Sequence, residues 1–150
     1  MDAAGESPGA VLQRLLAAIN AHDLDALVSC FADGYVNETP AHPQRGFGGN
    51  DQVRRNWARI FAGVPDIRAS VPRSAAADDT LWTEWELSGT RADGGAFLLR
   101  GVVIFVVGGA QITAARFYLE PVEDTSGDVA AHTRRVLGTR VGPTDPQQQS

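Results

Sequence analysis

"INAHDLDALVSCFADGYVNETP", residues 19–40, changes structure twice in a short span. Ile19 ends one helical stripe. "NAHD" interrupts it, and Asp23 stands where a side-chain oxygen can cap a second, short helix striped by Leu24, Leu27, Val28 and Phe31. "ADG" then closes that helix, with Gly34 suited to a left-handed C-cap. "YVNET" follows as a short strand, and Pro40 stops it. Tyr35, Asn37, Glu38 and Thr39 crowd into those five residues, so this strand is the polar lining of a pocket or an edge.

Upstream, Ser7 and Pro8 form a helix start, a capping hydroxyl followed by a first-turn proline. Val11, Leu12, Leu15, Leu16 and Ile19 fall on one face of the helix that follows. Downstream, "PAHPQRGFGGN" is a Pro/Gly loop. A third helix runs from about Asn50, with Val53, Trp57, Ile60, Phe61 and Val64 on one side. From there the period changes from 3.6 to 2. "DIRASVPRS" reads as a strand, and "TLWTEWELSGTR" alternates Leu81, Thr83, Trp85 and Leu87 against Trp82, Glu84 and Glu86. "ADGG" is a hairpin turn. "AFLLRGVVIFVVG" is nearly continuous in apolar residues, which suits a central strand covered on both sides. "QITAARFYLEPV" closes the sheet.

Three helices followed by consecutive strands give an α+β fold: a curved antiparallel sheet wrapped around an N-terminal helical cover, cone-shaped, with room for a cavity between the layers. The division expected is a flexible N-terminus over residues 1–7, one domain over 8–122, and a C-terminal extension over 123–150. That extension holds a weak helix, and then "GPTDPQQQS", which has a disordered composition.

Composition narrows the function classes. The chain has 150 residues, 43% hydrophobic and 21% charged, as expected of one soluble globular domain. Its 13 basic residues are all Arg and form no block, and the net charge is −5, so nucleic acid is not an expected partner. No apolar run reaches membrane-spanning length, and the N-terminus lacks the basic start and apolar core of a signal peptide; a cytoplasmic location is expected. The single Cys30 excludes an internal disulfide and reads as a small buried residue. His22, His42 and His132 are too scattered for a metal site, so no metal is expected.

"INAHDLDALVSCFADGYVNETP", "RGFGGNDQVRRNWARIFAG" and "RGVVIFVVGGAQITAARFYLEP" together resemble the SnoaL-like polyketide cyclase and ketosteroid-isomerase-like group, which shares the nuclear transport factor 2 fold. The resemblance covers roughly residues 8–122. It implies a pocket for a small hydrophobic or aromatic ligand, no cofactor, and a homodimer through the outer sheet face. Function is less determined, because the fold hosts isomerases, cyclases, hydrolases and plain binding modules.

The resemblance also places the family's chemical groups. The isomerases' catalytic carboxylate falls at Thr39, their oxyanion-hole tyrosine at about Leu15, and their second acid near Val103. Members resembling limonene-epoxide hydrolases hold a water with a Tyr-x-Asn, which Tyr35-Val36-Asn37 matches, but their Arg and two Asp fall at Trp85, Leu87 and Phe117. The carboxylates of both mechanisms are therefore absent.

The same alignment sets the parity of the strands. Residues 35, 37 and 39 face the cavity, with Trp85, Val103 and Phe117 among the large side chains lining it. Thr39, Trp57, Phe61, Trp85, Val103 and Phe117 are the expected ligand contacts. Tyr35 and Asn37 are the best candidates to polarise a carbonyl, with His42 or Glu38 to move a proton. Two outcomes stay open: an isomerase, cyclase or lyase acting on an apolar carbonyl compound, or a non-catalytic binding or assembly domain whose cone is filled by its own side chains. Arg100 enters the pocket only if the strand slips parity at Gly101.

Overall fold

Ser7 and Asp23 start the first two helices. In the computed structural model, which describes residues 6–123 and 127–138, Ser7 Oγ accepts from Ala10 N at 3.1 Å ahead of α1 (Pro8–Ala21). Asp23 Oδ1 accepts from Ala26 N at 3.0 Å ahead of α2 (Leu24–Ser29). The second helix ends sooner than its apolar stripe suggests. Cys30 caps it, and β1 (Phe31–Glu38) begins at once, so Phe31 is a strand residue and Gly34 lies inside β1 instead of capping a helix. Tertiary hydrogen bonds account for the difference: Ile112 N donates to Cys30 O at 2.7 Å, and Asn50 Nδ2 donates to Phe31 O at 3.2 Å. They draw the backbone into the sheet where local propensity alone would have continued the helix. Cys30 itself is fully buried, and burial raises its thiol pKa, which makes it an inert packing residue.

The Pro/Gly loop contains more structure than its composition announces. A 3₁₀ turn (Pro43–Arg45) and a two-residue strand β2 (Phe47–Gly48) precede α3 (Asn50–Gly63). The remaining strands are β3 (Arg68–Ala77), β4 (Thr80–Thr90), β5 (Ala96–Gly108) and β6 (Gln111–Pro121). They form one sheet in the order β2-β1-β6-β5-β4-β3. Its junctions are antiparallel except that β1 runs parallel to β6, so the sheet is mixed. A parallel neighbour requires a long crossover, which α3 and the four intervening strands supply.

Helices cover one face only; α1 packs on β3, β4 and β5, and α3 on β1. The sheet curves around them at register breaks between Phe31 and Val36, Ser70 and Arg73, and Val106 and Val107. Pro72 falls at the second break, on the edge strand, where its missing N–H costs no ladder bond. Gly101 adopts φ +153°, and any Cβ there would run into the Tyr118 carbonyl and lie 2.9 Å from Leu119 Cα, so only glycine fits between β5 and β6.

The alternation in β4 maps directly onto burial: Leu81, Thr83, Trp85 and Leu87 are buried, while Trp82 and Glu84 are exposed. Pairing runs through Gly101 without a break, opposite Trp85 and Leu119, so parity is kept and Arg100 stays outside, 2.7 Å from Glu86. The apolar run of β5 is buried on one face; Val102, Ile104 and Val106, on the other, are only half-buried. That outer face carries the ion pairs Arg73–Glu84, Arg100–Glu86 and Arg116–Glu38 around an exposed Trp82 and Tyr118. After β6, α4 (Val129–Leu137) is capped by Asp128 and has no buried residue. The expectations for residues 1–5, 124–126 and 139–150 lie outside the described residues. Among the described residues, no helix is long and apolar enough to cross a membrane.

Candidate functional site

The open side of the cone holds a cavity of about 280 Å³ between β1, α3 and the ends of β5 and β6. Tyr35 and Asn37 from β1, and Thr39 just beyond its end, form one wall, side by side because alternate residues of an extended chain share a face. Trp57, Asn56 and Ile60 from α3 stand opposite, with Phe117 and Leu119 from β6 on the floor. Deeper in, a void of only about 30 Å³ remains among Leu15, Trp85, Val103 and Phe105, also bordered by Trp57 and Phe117. The two alternatives left open by the sequence therefore divide the cone: the deep end is filled by side chains and the outer end is open.

The filled end is fixed by hydrogen bonds as well as packing. Trp85 Nε1 donates to Thr83 Oγ1 at 2.7 Å, and that hydroxyl donates to Val103 O at 2.5 Å. Trp85 also packs on Phe105, with ring centroids 6.1 Å apart. Its one polar group is satisfied, so this indole is a stopper between the open cavity and the core.

The open end has one buried polar pair. Tyr35 Oη donates to Asn37 Oδ1 at 2.7 Å, with Tyr35 1% and Asn37 8% exposed. Phe31 and Phe47 meet the Tyr35 ring edge-on at centroid distances of 4.8 and 6.0 Å and hold it in place. Burial raises the Tyr35 phenol well above its ordinary pKa, so the group is a neutral hydrogen-bond donor at any physiological pH. Because Asn37 Oδ1 is taken, its amide nitrogen, which has no partner among the described residues, is left as a donor on the cavity wall.

The other expected proton-moving groups lie elsewhere. Glu38 alternates to the outer face, where its Oε1 is 3.3 Å from Arg116 Nε and 58% of the side chain is exposed, so it is not placed to act in the cavity. His42 does not line the cavity; its Nε2 lies 3.1 Å from Glu120 Oε2 beside the mouth, outside hydrogen-bond geometry. Phe61 also stays off the cavity, stacked on His22 at 5.2 Å and packed behind Trp57 at 5.6 Å. Of the expected ligand contacts, Thr39, Trp57 and Phe117 line the open cavity, while Trp85 and Val103 border only the deep void.

Arg45, Phe47 and Asn56 also line the cavity and were not foreseen. Asn56 follows from helical spacing, one residue before Trp57 and four before Ile60. Arg45 and Phe47 sit in a loop with no period to show which way they face. The positions to which family resemblance assigns acids or tyrosine are all in or beside the cavity, but Leu15, Thr39, Leu87, Val103 and Phe117 occupy them.

The sequence profile of the SnoaL-like domain matches residues 12–115. The chain belongs to the SnoaL-like family. A search of curated proteins finds no match. Solved structures of the same fold include a Mycobacterium tuberculosis protein in complex with estradiol-17beta-hemisuccinate, 21% identical over 75% of this chain and 94% of that one, with a TM-score of 0.65. Another is a protein of ketosteroid isomerase-like fold from Catenulispora acidiphila in complex with trimethylamine, 19% identical over 75% and 87%, with a TM-score of 0.64. A nuclear transport factor 2-like protein from an Exiguobacterium species is 24% identical over 77% and 99%, with a TM-score of 0.62. At these identities the similarity shows the fold, and the SnoaL-like domain's chemistry has to be argued from its own cavity.

Proposed function

We propose that this SnoaL-like protein binds a small apolar molecule bearing a carbonyl or hydroxyl oxygen, and that Asn37 hydrogen-bonds that oxygen. The observation carrying this is the Tyr35–Asn37 pair on the wall of an otherwise apolar cavity of about 280 Å³. The Tyr35 donor fixes the amide, and the amide nitrogen is left to meet the ligand. Rotation of the amide by 180° would offer Oδ1 instead, with the phenol then accepting from the nitrogen, so the pair can take an acceptor or a donor. The cavity lies near the small end of ligand sites, which favours one ring or a short chain over a large polycycle. The ligands of the M. tuberculosis and C. acidiphila proteins support small-molecule binding as the use of the fold.

Thermal shift with matched pairs, a cyclic or aryl ketone against the hydrocarbon of the same shape, tests this. The ketone should stabilise the wild type and lose its advantage in Asn37→Leu. Equal stabilisation by ketone and hydrocarbon would remove the role given to Asn37.

A second reading, a cofactor-free isomerase, cyclase or lyase, rests on His42, whose Nε2 lies 3.1 Å from Glu120 Oε2 beside the mouth. Turnover abolished by His42→Gln with ligand affinity retained would favour it; unchanged turnover would leave Tyr35 and Asn37 as binding groups. We also infer that two copies pair through the outer sheet face, where Trp82 is 52% exposed between charged rows. Light scattering on Trp82→Glu should then report a monomer where the wild type reports a dimer.

A further inference from the structure

At the cavity mouth sits a cation that the protein barely uses. Arg45 lines the cavity, and its guanidinium makes no hydrogen bond among the described residues. Its nearest carboxylate oxygen, Glu120 Oε2, is 3.8 Å away, at the limit of an ion pair. That same oxygen lies closer to His42 Nε2, at 3.1 Å, so Glu120 is shared and its hold on Arg45 is the looser of the two.

The backbone that presents Arg45 is well fixed. Pro40 and Pro43 restrict the loop. His42 N donates to Thr39 O at 2.7 Å, Arg45 N to His42 O at 2.9 Å, and Gly46 N to Pro43 O at 3.2 Å. Gly46 also packs so closely on β1 that a Cβ there would lie 3.2 Å from Asn37 O. The turn thus rests against the strand that carries the polar pair, which fixes the backbone of Arg45 beside that strand.

The cavity lining contains no acid: its polar groups are Tyr35, Asn37, Thr39 and Asn56, and its one charge is Arg45. An apolar body buried inside, an oxygen near Asn37 and a negative group left at the rim would meet the amide nitrogen and the guanidinium. We propose that the ligand is a small organic acid with an apolar skeleton, its carboxylate on Arg45 and its inner oxygen on Asn37. A carboxylate suits the planar guanidinium, which can grip both its oxygens at once. The inference rests on the pocket reading given above and adds the charge and the second anchor. Because Arg45 is 59% exposed, solvent screens the contact and its contribution falls at the low end for a charged hydrogen bond.

The test is a calorimetric titration of the full chain with 4-oxo-4-phenylbutanoate and with its primary amide, a neutral compound of the same shape. The acid should bind about ten-fold more tightly than the amide, a preference that narrows with added salt. Arg45→Gln should abolish the preference, the acid losing more affinity than the amide. Glu120→Gln, which releases Arg45 from its carboxylate, should widen the preference. Equal affinity for acid and amide, or a preference that survives in Arg45→Gln, overturns the inference. If the amide still binds and still depends on Asn37, only the anionic head is lost and the pocket reading stands. Failure of both compounds to bind overturns the two together.

Discussion

Replacing Asn37 by leucine should destabilise the fold more than replacing Tyr35 by phenylalanine, although each removes one partner of the same hydrogen bond. The asymmetry follows from what is left behind. In Asn37→Leu the Tyr35 hydroxyl, on a side chain 1% exposed and wedged between Phe31 and Phe47, loses its acceptor, and the leucine fills the space a water would need. An orphaned buried hydroxyl costs about 1–3 kcal/mol. In Tyr35→Phe the group left over is Asn37 Oδ1 on the cavity wall, which water in the cavity can reach. That loss should be nearer the net value of an ordinary hydrogen bond, about 0.5–1.5 kcal/mol. The double variant leaves neither group stranded, so it should cost less than the sum of the singles, with a coupling of about 1 kcal/mol. Urea denaturation followed by fluorescence and by circular dichroism measures all three; with a slope of about 2 kcal/mol per molar, Asn37→Leu moves the midpoint down by about 0.5–1.5 M. Strict additivity of the singles, or a Tyr35→Phe loss exceeding that of Asn37→Leu, would refute the account of which group is sealed and which is wet.

Three further outcomes follow from the same structure. Burial raises the Tyr35 pKa, so the folded state keeps a proton that the unfolded phenol releases near its ordinary value of about 10; the resulting stability is intact below about pH 10 and declines above it, and Tyr35→Phe should flatten that alkaline limb in pH-dependent denaturation. Gly101→Ala puts a Cβ into the Tyr118 carbonyl at φ +153° and should cost at least about 3 kcal/mol or prevent folding, read by circular dichroism and soluble yield. Arg100→Ala breaks only an exposed pair with Glu86, so it should change stability by less than about 1 kcal/mol and leave ligand affinity unaltered in calorimetry; a large affinity loss would mean that Arg100 reaches the cavity after all.

What could be read from the sequence depended on whether a residue sat in a periodic element. β4 alternates cleanly, so its two faces were legible, while the family resemblance set which face looks inward and brought Tyr35 and Asn37 to the cavity wall. β5 does not alternate: its run of valines and isoleucine serves the core on one face and only half-covers the other, which no pattern of hydrophobicity distinguishes from a strand buried on both faces. The end of α2 was misplaced by tertiary hydrogen bonds from Ile112 and Asn50, partners far along the chain. The parallel pairing of β1 with β6 is likewise a long-range fact. Arg45 was hidden because a 3₁₀ turn, not a repeat, aims it at the mouth. Strand parity pointed to a chamber without arginine unless Arg100 turned inward, and the fold supplies Arg45 from a loop.

The central claim is that the Asn37 amide meets the ligand's oxygen inside the cavity, and nuclear magnetic resonance reads that amide directly. Its side-chain NH₂ signals, assigned with the help of Asn37→Leu, should shift on titration with an aryl ketone and saturate with the dissociation constant found by calorimetry. Binding that leaves those signals in place while moving others, such as those of the larger cavity of about 460 Å³ at Phe97 and Val122, would contradict it.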